Sequence, residues 1–400
     1  MGDLQQMQWA SAISQRVDAR QALAEASDRV LAALGGPPDL AFIFASSHYN
    51  AVYESIPGWA QAFLSPRHLI GCSGSGIIGA GEESERREAL SILAGRMPGV
   101  ELFPFHLGGN PRAAGAEFWS EVSGIDPQSA AGFVLLVDPA SIETEALLKG
   151  LDGASPLAPK VGGLVSGIEA AGEAALFLND RTYREGALGL ALRGRVELQT
   201  VVAQGCRPIG DPMIVTRCRD GIIYELNVGR PVEALQRLFE RLDPRDQELC
   251  RHSLFLGIEM SGRSHSYGQG DFLVRNLGGL EPNAGAMAVQ GHVDNYQVVQ
   301  FHLRDARTSA QDLELRLAEL QRQRTARSAR ATLLFSCVGR GQELYGVPNH
   351  DSDVLCRRMG SLPLAGFFAN GEIGPVSGHS FLHGYTSVVG ILSEPYSPAN

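Results

Sequence analysis

Apolar residues recur at helical spacing through the first part of the chain. Ile13, Val17, Ala24, Leu31 and Leu34 share one stripe, and Gly35-Gly36-Pro37-Pro38 ends it. The pattern predicts one amphipathic helix over about Gln8–Leu34. Beyond it the period changes. Leu40–Ala45 reads as a buried strand, Tyr49–Phe63 as helical, and His68–Ile70 as a short strand entering a glycine-rich turn. Strands are predicted near Ala89–Leu93, Val100–Phe105, Phe133–Val137 and Val161–Leu164, with a helix at Ile142–Leu148. A run of strands and turns follows, including Ala187–Leu192, Val196–Val202 and Met213–Thr216. Pro231–Leu242 then reads as a helix with proline at its first position. The last part predicts strands near Ser253–Ile258, Phe272–Arg275, Met287–Val289, Gln297–Leu303, Thr332–Cys337, Leu362–Phe367 and Ser387–Leu392, with a helix over Thr308–Arg324.

A repeat runs through this pattern. Ile70-Gly71-Cys72-Ser73-Gly74-Ser75-Gly76-Ile77-Ile78-Gly79 aligns with Ala365-Gly366-Phe367-Phe368-Ala369-Asn370-Gly371-Glu372-Ile373-Gly374, and Val161–Ile168 is a fainter copy. Each copy follows an apolar strand. The unit is strand, helix, strand and a turn that needs glycine twice, for positive φ or for close backbone approach. The expected fold is α/β to α+β, in two related domains with helices packed on mixed β-sheets.

The chain has 400 residues and a formal net charge of −10, with 44% hydrophobic and 20% charged residues. That is an ordinary globular composition, and the acidic balance argues against nucleic acid as a partner. No apolar run is long enough for a membrane-spanning helix, and the first residues lack the pattern of a secretory signal. Six cysteines occur without C-x-x-C spacing, which predicts free thiols in a reducing cytoplasm. The only lysines are Lys149 and Lys160, so lysine chemistry has two candidates.

Several motifs carry possible chemistry. Gly74-x-Gly76-x-x-Gly79 matches a dinucleotide fingerprint, with a helix start conceivable at Glu82. The repeat keeps Gly76 and Gly79 but loses Gly74, so a shared turn is the preferred reading. His379-x-x-x-His383 has metal-ligand spacing on a helix, but its glycine flanks predict an extended chain that separates the imidazoles. No metal or cofactor is expected. Cys337 ends an apolar strand before Gly339-Arg340-Gly341, and Arg340 could favour its thiolate; the alternative is a buried structural cysteine. Glu372 stands where the first copy has Ile77, so the repeat does not require a carboxylate there. Asn370 either accepts left-handed geometry or presents its amide to a ligand.

Three segments together resemble a known family. Leu334–Gly341, Pro363–Pro375 and His383-Gly384-Tyr385-Thr386 resemble the FIST C-terminal domain, named for F-box and intracellular signal transduction proteins. Gly71-Cys72-Ser73 with Gly76, and Gly210-Asp211-Pro212 with Tyr224-Glu225-Leu226, resemble the FIST N-terminal domain. The resemblance implies a FIST N-terminal-like domain over 38–229 and a FIST C-terminal-like domain over 230–392, which leaves the N-terminal helix within 1–37 and a tail over 393–400. It implies a bacterial-type cytoplasmic sensory module without an F-box. Its partners would be a small, amino-acid-like ligand and a separate signalling protein, with no membrane insertion. The ligand-binding candidates, read from the residues, are Cys337, Arg340, Asn370, Gly371, Glu372, His383 and Tyr385. Binding is read ahead of catalysis. The enzymatic alternative uses Cys337 as nucleophile with His383 or Glu372 as base, and the remaining alternative is a protein-interaction scaffold without ligand.

Overall fold

The computed structural model describes residues 6–111, 115–260, 267–281, 283–323 and 329–395. The chain separates into two compact units. The first comprises residues 1–202, 314–382 and 386–400; the second comprises 203–313 and 383–385.

Three parallel strand pairs organise the first unit. Leu40–Ser46 pairs with His68–Gly74, Gly132–Val137 with Lys160–Leu164, and Ala329–Cys337 with Leu364–Ala369. Parallel strands flanked by helices are buried on both faces. That explains why Leu40–Ser46 and Gly132–Val137 are buried along their whole length and read as unbroken apolar runs. Each pair centres a six-stranded sheet. One side of each pair carries an antiparallel strand: Leu90–Arg96, Ala187–Gly194 and Thr386–Ser393, respectively.

On the other side the copies exchange strands in a ring. Gly76–Gly79 follows the first pair in sequence but pairs with Leu364–Ala369 of the third. Leu176–Leu178 follows the second pair and joins the first sheet; Glu372–Val376 follows the third and joins the second. The two copies expected from sequence are thus both present, and the fainter stretch Val161–Ile168 belongs to a third.

The repeat glycines have a steric cause. Gly71 lies opposite Ile43, Gly162 opposite Leu135, and Gly366 opposite Leu334. A Cβ on these glycines would lie 1.9, 1.8 and 1.8 Å from the facing carbonyl oxygens. The shared core between the sheets draws on all three copies, with Phe44, Ile70, Val134, Leu136, Val161, Leu333, Phe335 and Phe367 fully buried. Phe44 and Phe367 meet at a centroid distance of 5.4 Å. The outer faces are covered by helices, including Ala19–Leu34 and Ile56–Phe63 over the first pair and Thr144–Ala154 over the second.

The N-terminal segment corrects the reading of one long helix. Gln8–Ser14 is a strand, antiparallel to Leu90–Arg96, and the helix begins only at Ala19. Asp18 caps it by accepting from the Gln21 N–H, and Gly35 closes it in left-handed geometry at φ 69°. Ile13 belongs to the strand, and Val17 sits in the intervening turn with 78% exposure, so neither extends the helical stripe.

The second unit is a closed six-stranded antiparallel barrel. Its strands are Cys206–Arg219, Ile222–Leu226, Ala286–Val289, Phe272–Glu281, Leu254–Glu259 and Val298–Arg304. Helix Pro231–Arg241 starts with proline, as the sequence predicts, and Asp243 caps the following helix Pro244–His252. No helix among the described residues is long and apolar enough to cross a membrane.

Candidate functional site

Cys337 ends the first strand of the third parallel pair and is 6% exposed. The chain then turns through Arg340 and re-enters as helix His350–Met359, which buries Asp351, Ser352, Val354 and Leu355. Arg340 and Asp351 form a fork. Nε donates to Oδ2 at 2.8 Å and Nη2 to Oδ1 at 2.9 Å, with both side chains 1% exposed. Ser336 Oγ donates to the same Oδ2 at 2.8 Å, and His350 Nδ1 lies 3.0 Å from Oδ1. Burial would raise the Asp351 pKa, but the Arg340 charge and these hydrogen bonds hold the carboxyl well below its ordinary range. Arg340, despite burial, is held protonated by the same partner.

Glu372 begins the strand that follows the third pair and is fully buried. The Thr386 N–H donates to Oε2 at 3.1 Å, while Oε1 has no hydrogen-bond partner among the described residues. Glu372 forms no ion pair among the described residues; the nearby arginine is engaged by Asp351. Burial pushes the Glu372 pKa well above the carboxylate range, against the opposing pull of the Thr386 N–H, the Cys337 thiol, Arg340 and the Gly371 N–H. The structure therefore brings Cys337 and Glu372 close enough to influence one another, next to a buried ion pair.

The repeat shows how unusual Glu372 is. It faces Gly163, the residue after the repeat glycine of the second pair. The corresponding positions in the other sheets are Ile77, facing Phe367, and Leu176, facing Cys72. Both are apolar and fully buried. Burying a carboxyl without a full set of hydrogen bonds costs free energy. The fold fills the equivalent position twice without one.

The other sequence candidates separate. Gly371 has φ 149°, and a Cβ there would lie 2.9 Å from Leu164 Cδ1, so its backbone geometry favours glycine. Asn370 is exposed and outside the left-handed region; its N–H donates to Leu164 O at 3.1 Å. His383 and Tyr385 belong to the second unit. His383 is buried; Tyr385 is left-handed at φ 61°, donates from its hydroxyl to Asn276 Oδ1 at 2.6 Å, and packs on Phe255.

Two motifs resolve into other structure. Gly76–Gly79 and Glu82–Glu85 form a strand hairpin, so no helix N-terminus follows the glycines to receive a pyrophosphate. His379 and His383 stand at the two ends of one strand, with His379 exposed. Lys160 is buried against Asp152 at 2.9 Å, which explains why one of two lysines lies inside.

Sequence reasoning missed Asp351 and Glu83. Glu83 is 8% exposed and accepts from the Ser352 N–H at 2.7 Å through Oε1, while Oε2 has no partner among the described residues. Burial and the Asp351 charge push its pKa up to about 8. The available signal was the spacing of Asp351 with Val354 and Leu355, which puts the carboxylate on the apolar face of a helix.

The FIST N domain family model matches residues 39–228 and the FIST C domain model residues 231–375. An uncharacterized protein of Mycobacterium tuberculosis is 35% identical over 383 residues, covering 95% of this chain and 98% of the relative. An uncharacterized protein of Mycobacterium bovis is 32% identical over 379 residues, covering 94% and 96%. Among solved structures, a cyanuric acid hydrolase from A. caulinodans aligns over 97% of this chain and 99% of its own, with a TM-score of 0.36 and 10% identity. FIST domains are associated with sensing in signal transduction. With both of its domains matched in order along one chain, this protein is a member of the FIST family.

Proposed function

We propose that the protein is a sensory module that binds a small, amino-acid-like ligand and reports its presence to a separate signalling protein. The observation that carries this reading is Glu372: a fully buried carboxyl with an unpartnered Oε1, at a position where the other two repeat copies bury Ile77 and Leu176. A ligand ammonium reaching Oε1 would supply the missing donor and restore the carboxylate charge. Cys337 and Gly371 border the same carboxyl. Arg340 holds the adjoining turn in place through Asp351. Asn370 is the proposed contact for the remainder of the ligand, whereas His383 and Tyr385 belong to the second unit and are not assigned to it. None of the six cysteines is in a disulfide, which fits a cytoplasmic location.

The test is thermal unfolding of the full chain against an amino-acid panel at millimolar concentration. A ligand present at 100 times its Kd stabilises the native state by about 2.7 kcal/mol, enough for a shift of a few degrees. At least one amino acid is expected to give that shift. A flat response across the panel would favour a scaffold without ligand.

A further inference from the structure

A polar cavity lies in the first unit, at the beginning of the first parallel pair. Its volume is about 360 Å³, within the range of roughly 300–1,000 Å³ usual for small-molecule sites. The walls come from three places: Asp39 before one strand, Arg67 and His68 at the start of the other, and the turn from Met97 into the strand Val100–Leu107, which belongs to the second sheet.

The polar groups there are underused. Asp39 Oδ2 accepts from the Met97 N–H at 2.7 Å, which aims the carboxylate over the turn between the two sheets, and its side chain has no other hydrogen bond among the described residues. Arg67 is exposed, and its guanidinium makes no hydrogen bond or ion pair among the described residues. Asp39 and Arg67 both line the cavity without forming an ion pair with each other. His68 Nδ1 is shielded from solvent and has no hydrogen-bond partner among the described residues. Burial, together with the Arg67 charge, keeps the imidazole below its ordinary pKa.

The repeat again separates fold from function. Counted from the facing pairs Ile43/Gly71, Leu135/Gly162 and Leu334/Gly366, the equivalents of Asp39 are Ala131 and Arg330. Those of Arg67 are Ala158 and Leu362, and those of His68 are Pro159 and Pro363. Neither other copy carries the acid, the guanidinium and the imidazole together. The strand pair forms without them.

We infer that this cavity binds a small zwitterion of about dipeptide size, its amino group on Asp39, its carboxylate on Arg67 and His68, and its apolar part on Val100, Leu102 and Phe103. Two separated, unneutralised charges of opposite sign match a ligand with an ammonium at one end and a carboxylate at the other. The volume exceeds what a single small amino acid would fill. The site is independent of Glu372.

The test is calorimetric titration of the full chain with L-alanyl-L-leucine, its N-acetyl form and its C-terminal amide. The free dipeptide is expected to bind, and each blocked form to bind about tenfold or more weakly, because each loses one charge-assisted contact. Arg67→Gln and Asp39→Asn are each expected to give a similar loss, while Arg181→Gln, an exposed change outside the cavity, leaves binding intact. Asn at position 39 keeps an acceptor for the Met97 N–H, and unfolding curves check that both variants fold. Absence of dipeptide binding, equal binding of the blocked forms, or unchanged binding in both cavity variants would overturn the assignment.

Discussion

Arg340 and Asp351 grip each other through two hydrogen bonds of 2.8 and 2.9 Å, with both side chains shut away from water. The arginine sits in the turn after Cys337 and the aspartate in the first turn of the following helix. The pair therefore fixes how the chain leaves the first strand of the third parallel pair. A buried pair of this kind is costly to break from one side, because the surviving charge has no partner. Asp351→Asn is expected to destabilise by about 3–5 kcal/mol in urea unfolding. Arg340→Met combined with Asp351→Leu is expected to recover much of that loss. A single Asp351→Asn change within about 0.5 kcal/mol of wild type would contradict the ion pair.

The repeat glycines offer a second test. Gly366→Ala places a methyl group 1.8 Å from Leu334 O, a backbone atom that cannot turn aside. The parallel strands must separate, and a loss of several kcal/mol, or failure to fold, is expected. Gly36→Ala meets nothing within 4 Å and should change stability by about 0.5 kcal/mol or less. Comparable effects at the two positions would contradict the close-approach explanation.

Glu83 makes stability depend on pH. Its folded pKa is about 8, against a reference value of 4.5. The native state therefore binds the extra proton between those values, so the Glu83 contribution is fully present below pH 4.5 and is lost as pH rises through about 8. Glu83→Gln keeps an acceptor for the Ser352 N–H but removes the titration. The difference in unfolding free energy between variant and wild type, followed from pH 5 to 9, should shift in favour of the variant as pH increases. A difference that stays constant with pH would show that Glu83 is ionised in the native state throughout.

How much of this was legible in the sequence depended on burial. Leu40–Ser46 and Gly132–Val137 were readable because strands buried on both faces leave unbroken apolar runs. Gly71 and Gly366 stood out because each faces a backbone oxygen that permits no side chain. The third copy was faint because a long connection separates Leu164 from Leu176, so its exchanged strand falls out of register with the other two. Gln8–Ser14 was hidden by Ala and Ser, which mark neither period strongly, while Val17 extended the helical stripe by chance. Within the candidate site, Glu372 was visible by contrast with Ile77. Asp351 was not, because a charged residue among Asp353, Arg357 and Arg358 reads as solvated surface until its arginine is located in space.

The ligand reading rests on Glu372, and one comparison tests it most directly. Native mass spectrometry of the full chain with a millimolar amino-acid panel would be run on wild type and on Glu372→Ile, which installs the residue that the first copy carries at Ile77. An apolar side chain of similar volume avoids burying a carboxyl, so the variant should fold with stability near that of wild type, losing mainly the acceptor for the Thr386 N–H. The expected result is an amino-acid adduct on wild type that is absent from the folded variant. An adduct of equal occupancy on both proteins, or none on either, would contradict the assignment of Glu372 to ligand binding.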